Sequence, residues 1–298
     1  MTFAIIYITI YIEDIRKEAA VMRFTKMQGI GNDYIYVNCF EETVADPEQL
    51  SVKISDRHFG IGADGLVMIM PSEKADLRMR IFNADGSEAK MCGNASRCIG
   101  KYAYEKGLVH KDEITLETNS GIKILKLDIK NEAVTSVSVN MGKVSFEPAS
   151  IPAVSEKPLI DSLLDVNGTE YKVTSVSVGN PHCVIFGGDP DDTDVEGIGK
   201  QIEFHPMFPE RVNVEFAQIL PDHHIKMRVW ERGSGETLAC GTGACATAAA
   251  AVKNGYFSYG EEITVILRGG ELYITVYEDS TVIKRGGAEF VFDGEIAV

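Results

Sequence analysis

Two cysteines in this 298-residue chain stand where a thiol could do proton chemistry. Cys92 and Cys240 each sit immediately before a glycine that opens a helix-like stretch. At a helix N-terminus the free backbone N–H groups and the helix dipole favour negative charge, which predicts a lowered thiol pKa. The same N–H groups can hold a substrate carboxylate and stabilise charge developing beside its α-carbon. Two such thiols on opposite sides of one cleft suit a reaction that takes a proton from one face of a carbon and returns one to the other. Racemisation and epimerisation are reactions of that kind, with one cysteine entering as thiolate base and the other as thiol acid.

An internal repeat is what pairs these cysteines. LRMRIFNADGSEAKMCGNASRCIGKYAYEKG at 77–107 aligns with IKMRVWERGSGETLACGTGACATAAAAVKNG at 225–255, an offset of 148 (240 minus 92). Met79-Arg80 matches Met227-Arg228, Glu88 matches Glu236, and Gly107 matches Gly255. Upstream, Gly31-Asn32 matches Gly179-Asn180; downstream, Glu113-Ile114-Thr115 faces Glu262-Ile263-Thr264 with one residue inserted. A period this long excludes a solenoid and implies two similar domains about a pseudo-two-fold axis.

Each half reads as strand, Gly-rich turn, strands, Cys-Gly turn, helix, then strands. The helices fall at 94–106 and 242–254, each closed by a glycine in the C′ position. In the first, Ile99, Tyr102 and Ala103 lie at helical spacing; the second, ACATAAAAV, is slim enough for a crowded centre. The segments at 66–70, 114–118, 173–178, 263–267 and 272–276 read as strands. A polar, Pro-bearing stretch from about Gly142 to Glu170 reads as the link between the halves. Counting 148 back from Glu170 reaches Met22, so residues 1–21 fall outside the repeat.

Composition sets the boundaries. At 45% hydrophobic and 24% charged, the chain is an ordinary folded protein with room for about two domains. With 29 basic against 44 acidic residues it carries −15, which argues against a nucleic-acid partner. No apolar run reaches the ~18 residues of a membrane span. Phe3 to Ile12 (FAIIYITIYI) is apolar but lacks the basic flank and small-residue cleavage site of a signal peptide. It reads as an extra strand or as a leader before a second start at Met22, and the repeat favours the leader.

The six cysteines include no C-x-x-C pair, which weakens zinc-knuckle and thioredoxin readings. With no export signal they are expected to be free thiols in a reducing compartment. Cys39, Cys98, Cys183 and Cys245 read as small core residues. Cys183 follows His182, but neighbours in a strand point to opposite faces, which argues against a Cys–His hydrolase pair. Two glycine patterns, Gly60-Ile61-Gly62-Ala63-Asp64-Gly65 and Gly241-Thr242-Gly243-Ala244-Cys245-Ala246, invite a dinucleotide reading. The first precedes a strand instead of opening a helix. The second follows polar ERGSGETLAC where a buried strand is required, so neither holds.

MQGIGNDY, RHFGIGADG, FNADGSEAKMCGNASRC, VGNPH, ERVNVEF and ERGSGETLACGTGACA closely resemble the diaminopimelate epimerase family, from about Met22 to the C-terminus. The resemblance implies cofactor-independent interconversion of LL- and meso-2,6-diaminopimelate, in lysine and peptidoglycan precursor synthesis, with no metal. It implies an α/β fold of two pseudo-symmetric homologous domains, each with strands wrapped around a central helix and the site between them. The expected division is a first domain at 22–140, completed by about 286–298, and a second at 141–285.

Carried over by motif, Cys92 and Cys240 match the two catalytic bases. Asn32, Asn83, Asn180, Asn213 and Arg232 match residues that hold substrate, especially its distal amino-carboxylate end. Gly93, Asn94, Gly241 and Thr242 match the cradle of the reacting carboxylate, while His182 and Glu231 match groups flanking the reacting centre. By the offset, Asn32 pairs with Asn180, Asn83 with Glu231, and Gly65 with Asn213, so a symmetric scaffold carries asymmetric contacts. Gly65 stands where some members have a substrate-touching Gln, and Ala95-Ser96 replaces a common Gly-Ala. The expected partner is a small amino-acid substrate, in the cytoplasm, with a homodimer left open. Diaminopimelate near neutral pH has no net charge, so the −15 does not repel it. Two other readings stand beside this one: a racemase for another amino acid, such as histidine or proline, and a thiol redox sensor in which Cys92 and Cys240 form a reversible disulfide.

Overall fold

The sheet of this protein starts at one edge with a strand from the far end of the chain. In the computed structural model, which describes residues 21–297, Glu289–Ala297 pairs antiparallel with Val21–Gly29, which in turn pairs with Asn32–Asn38. The apolar segment at Phe3–Ile12 lies outside the described residues.

From there the order in each half is the same. Asn32–Asn38 runs parallel to Gly65–Met70, and Pro181–Phe186 runs parallel to Asn213–Leu220. Gly65–Met70 then pairs antiparallel with Leu77–Asn83, as Asn213–Leu220 does with His224–Glu231. A second parallel step follows in each half, to Glu113–Thr118 and to Glu262–Leu267. The halves join where Ala133–Lys143 pairs antiparallel with Thr281–Gly286.

Among the described residues four α-helices accompany the sheet: α1 (Pro47–Ser55), α2 (Gly93–Glu105), α3 (Val195–Glu203) and α4 (Gly241–Lys253). Helices α2 and α4, each 13 residues long, begin and end one residue earlier than the sequence reading has them. Both stop at a left-handed glycine, Gly107 at φ 76° and Gly255 at φ 82°, a conformation that costs glycine nothing. Both are buried along most of their length and share one contiguous apolar core with the strands around them. The alanines of α4 make this possible, because a helix encircled by strands has no solvent side for bulky residues.

Helices α1 and α3 escape the sequence reading, yet they obey the repeat. Their N-caps, Asp46 and Asp194, are 148 apart (194 minus 46), and each carboxylate accepts a backbone N–H three residues on. Such caps contribute about 1 kcal/mol each. Each outer helix seals a satellite core on the outside of its half. The stretch from Gly142 to Glu170 is more than a link, since Ser162–Val166 pairs with Thr169–Ser177. Among the described residues, no helix is long and apolar enough to cross a membrane.

Candidate active site

Cys92 and Cys240 are the N-cap residues of α2 and α4, extended at φ −133° and −112°. The turn into each helix needs an unbranched backbone at the next position, and Gly93 and Gly241 supply it. A Cβ built on either glycine would collide with the same atom, the Nζ of Lys284. One side chain therefore touches the first residue of both helices, and the two helix starts converge.

Cys92 is half-buried, and its Sγ lies 3.5 Å from the Oδ1 of Asn32. That oxygen also accepts from Asn94 Nδ2 at 3.3 Å. Asn32 is oriented from behind, because its Nδ2 donates to Asp64 Oδ2 at 2.7 Å and Arg57 grips the other Asp64 oxygen at 2.9 Å.

Cys240 is more enclosed, at 4% exposure. The backbone N–H of Gly243 donates to its Sγ at 3.4 Å, and Thr242 Oγ1 lies 3.5 Å away. Thr242 Oγ1 accepts from Asn180 Nδ2 at 3.3 Å, and Asn180 Oδ1 meets His182 Nε2 at 3.0 Å. His182 and Glu215 are both fully buried and share a 2.6 Å contact between Nδ1 and Oε1.

The expectation of a lowered thiol pKa fails at Cys240. Burial, then the carboxylates of Glu231 and Glu215, push this thiol well above its ordinary value, against the hydrogen bonds from Thr242 and Gly243. A helix dipole is worth about 0.3–1 kcal/mol at an exposed site, whereas full desolvation of a charge costs several times that. Cys240 is therefore held in its thiol form. Cys98 and Cys245, the core cysteines of the two helices, are each pushed by burial to about 11. Cys183 is buried in its strand and also raised, so it stays an inert core thiol. All six cysteines are free.

With these thiols at two converging, repeat-related helix starts, comparison with known proteins becomes decisive. A family model described as "Diaminopimelate epimerase" matches residues 24–147 and 174–291. The diaminopimelate epimerase of Desulfovibrio desulfuricans is 53% identical over 285 residues, covering 93% of this chain and 99% of that protein. The one from Phocaeicola vulgatus is 55% identical over 279 residues, with 93% and 99% covered. The chain belongs to the diaminopimelate epimerase family. Among solved structures, the fold is shared with a Bacillus anthracis phenazine biosynthesis protein of the PhzF family. That match has a TM-score of 0.69 at 18% identity and covers 94% of this chain and all 100% of the other. A hydroxyproline epimerase from Agrobacterium vitis matches at TM-score 0.66 and 16% identity, covering 93% of this chain and 91% of that one.

In this member of the epimerase family, the residues carried over by motif fall into two groups. Asn32, Gly93, Asn94, Asn180, Gly241 and Thr242 lie around the two cysteines, joined by the contacts above. His182 stands one step back, reaching them through Asn180. Glu231 acts on Cys240 through its charge and accepts a hydrogen bond from Thr237. Asn213 is buried and tied to the backbone, donating to Pro181 O at 2.9 Å and accepting from the Arg232 N–H at 2.9 Å. It fixes the loop that carries Arg232, whose exposed guanidinium donates to Glu210 O at 2.8 Å. Asn83 is spent on a turn, with its Nδ2 on Ser87 Oγ at 3.0 Å.

Gly65 has no room for a glutamine, because a Cβ there would strike the carbonyl oxygen of Phe82. Four site-supporting residues escape the sequence reading: Asp64, Arg57, Glu215 and Lys284. Asp64 lies in the quoted RHFGIGADG motif and Glu215 in ERVNVEF, where a carboxylate amid a buried strand is the available signal.

Proposed function

We propose that this chain interconverts LL- and meso-2,6-diaminopimelate by two-base proton transfer between Cys92 and Cys240. The carrying observation is the convergence of Gly93 and Gly241 on one Lys284 Nζ, with a cysteine immediately before each. In one direction the Cys92 thiolate takes the α-proton as the C–H bond breaks, and the Cys240 thiol gives its proton to the opposite face. The two sulfurs then hold exchanged protonation states, which suit the reverse direction. Charge left on the α-carbon spreads into the carboxylate, which the N–H groups of Gly93, Asn94, Gly241 and Thr242 cradle. Asn32, Asn180 and Arg232 bind the rest of the substrate. Asn83 and Asn213 also bind it while holding the loops around it, and His182 and Glu231 flank the reacting centre.

A cytoplasmic location and the absence of any cofactor requirement belong to the same reading. So does the division into a first domain at 22–140, completed by 286–298, and a second at 141–285. The pairing of Glu289–Ala297 with Val21–Gly29 supports that division.

The test is incubation with meso-diaminopimelate in D₂O without added pyridoxal phosphate or metal. Deuterium at the α-carbon and appearance of the LL isomer are expected. Neither appearing would overturn the proposal.

A further inference from the structure

Lys284 lies on the buried face of strand Thr281–Gly286, between Val282 and Gly286, in the strand that joins the two halves. Its side chain is wholly buried. The Nζ fills the space beside the first residue of both α2 and α4. The ionisable groups that act on it most are the thiols of Cys245, Cys92 and Cys240 and a second cation, Arg97. Arg97 is also wholly buried. It donates through Nε to Gly287 O at 3.0 Å and through Nη1 to Asn94 Oδ1 at 2.9 Å, while its Nη2 has no partner among the described residues.

Two cations and two helix N-termini thus meet, and neither cation has a salt-bridge partner among the described residues. A buried unpaired charge costs several kcal/mol, and an apolar residue of similar length would pack the same space at no such cost. Packing therefore does not account for an ammonium here; an anion does. The anions that this site admits are a cysteine thiolate and the carboxylate held at the paired helix starts.

We propose that Lys284 is the buried counter-cation of that negative charge, a positioning residue that stabilises the thiolate of Cys92 and the substrate's reacting carboxylate from behind. This rests on the reading of the two cysteines as the acid–base pair. Burial, and then Arg97, push the Lys284 amine below the ordinary lysine value, whereas negative charge at a neighbouring cysteine acts the other way. The residues paired with Lys284 across the neighbouring strands, Val139 and Ile274, carry no charge. Cation and anion therefore favour each other, and neither is favoured alone.

The test is Lys284→Met in the full chain, reading the pH dependence of iodoacetamide alkylation at Cys92 by peptide mass mapping. The expected result is about a tenfold slower alkylation of Cys92 at neutral pH. The thermal midpoint should not fall, since an unpaired buried charge has been removed. Unchanged alkylation would overturn the proposal. Lys284→Gln, polar but uncharged, should behave as Met does; if circular dichroism shows both variants unfolded, Lys284 is structural and the proposal fails. Alkylation needs no diaminopimelate, so this result and the deuterium experiment can fail independently.

Discussion

Asn32 accepts a hydrogen bond from Asn94 at 3.3 Å, and the repeat-equivalent residues, Asn180 and Thr242, also meet at 3.3 Å with the polarity reversed. In the first half the asparagine offers its carbonyl oxygen toward the helix start; in the second it offers its amide. The reversal follows from what stands behind each one. Asp64, an acceptor, claims the Asn32 amide, whereas His182 meets the Asn180 oxygen. A symmetric scaffold thus presents two chemically different faces to whatever lies between the cysteines.

If the two sulfurs act as a pair, neither can be spared. Cys92→Ala and Cys240→Ala are each expected to lower epimerisation by at least about 10²–10⁴-fold, the usual contribution of a positioned acid or base. Stability should change little. Near-wild-type turnover by either variant would refute the two-base assignment.

The thiols should differ in reactivity. At neutral pH iodoacetamide is expected to label Cys92 well before Cys240, because burial and two carboxylates keep Cys240 protonated. As pH rises above the ordinary thiol range, its thiolate fraction and its labelling should rise. Cys98 and Cys245, held near 11, should stay unlabelled in the folded protein. Mass mapping over a pH series checks this, and equal labelling of Cys92 and Cys240 at neutral pH would contradict it.

The asparagine behind Cys92 depends on its anchor. Asp64→Ala frees the Asn32 amide and removes one end of the Arg57 bridge. We expect about a tenfold loss in kcat with a smaller change in KM, since one oriented hydrogen bond to the site is lost. Steady-state kinetics with an unchanged kcat would show that Asn32 is held by other means.

Acid should loosen the same corner. Burial pushes the Asp33 carboxyl up, but hydrogen bonds and charge from Arg57 and Lys26 prevail and hold it below its ordinary value. A lowered folded pKa contributes stability that is present above the unfolded carboxylate value and lost as pH falls through the folded one. Denaturant titrations between about pH 5 and pH 2 should therefore show Asp33→Asn losing less stability on acidification than the wild type. Identical pH dependence would count against the assignment.

The buried pair behind Asn180 is a stability element. Glu215→Leu leaves His182 buried without this hydrogen-bond partner and is expected to cost about 1–3 kcal/mol, the usual penalty for a buried polar group left unsatisfied. Urea denaturation checks the size. A variant within about 1 kcal/mol of wild type would mean that His182 finds another acceptor.

Much of this protein is legible in one dimension. The offset of 148 predicts two homologous halves, and the Cys-Gly turns place both cysteines at helix starts, because N-cap geometry is a matter of a few neighbouring residues. The glycines at 107 and 255 mark both helix ends for the same reason. Helices α1 and α3 escape notice although Asp46-Pro47 and Asp194 are local cap signals, since their apolar faces are short and no long periodic run announces them.

Tertiary structure decided what those local features mean chemically. The helix dipole alone argues for a thiolate at Cys240, and the enclosure of that sulfur beside Glu231 and Glu215 reverses the outcome. No local sequence signal singles out Lys284, and only folding brings it against both helix starts. The cost of charge depends on every atom within several ångströms, most of them contributed by distant parts of the chain. Local order is therefore written in the sequence, while the protonation states that chemistry needs are set by the packing around it.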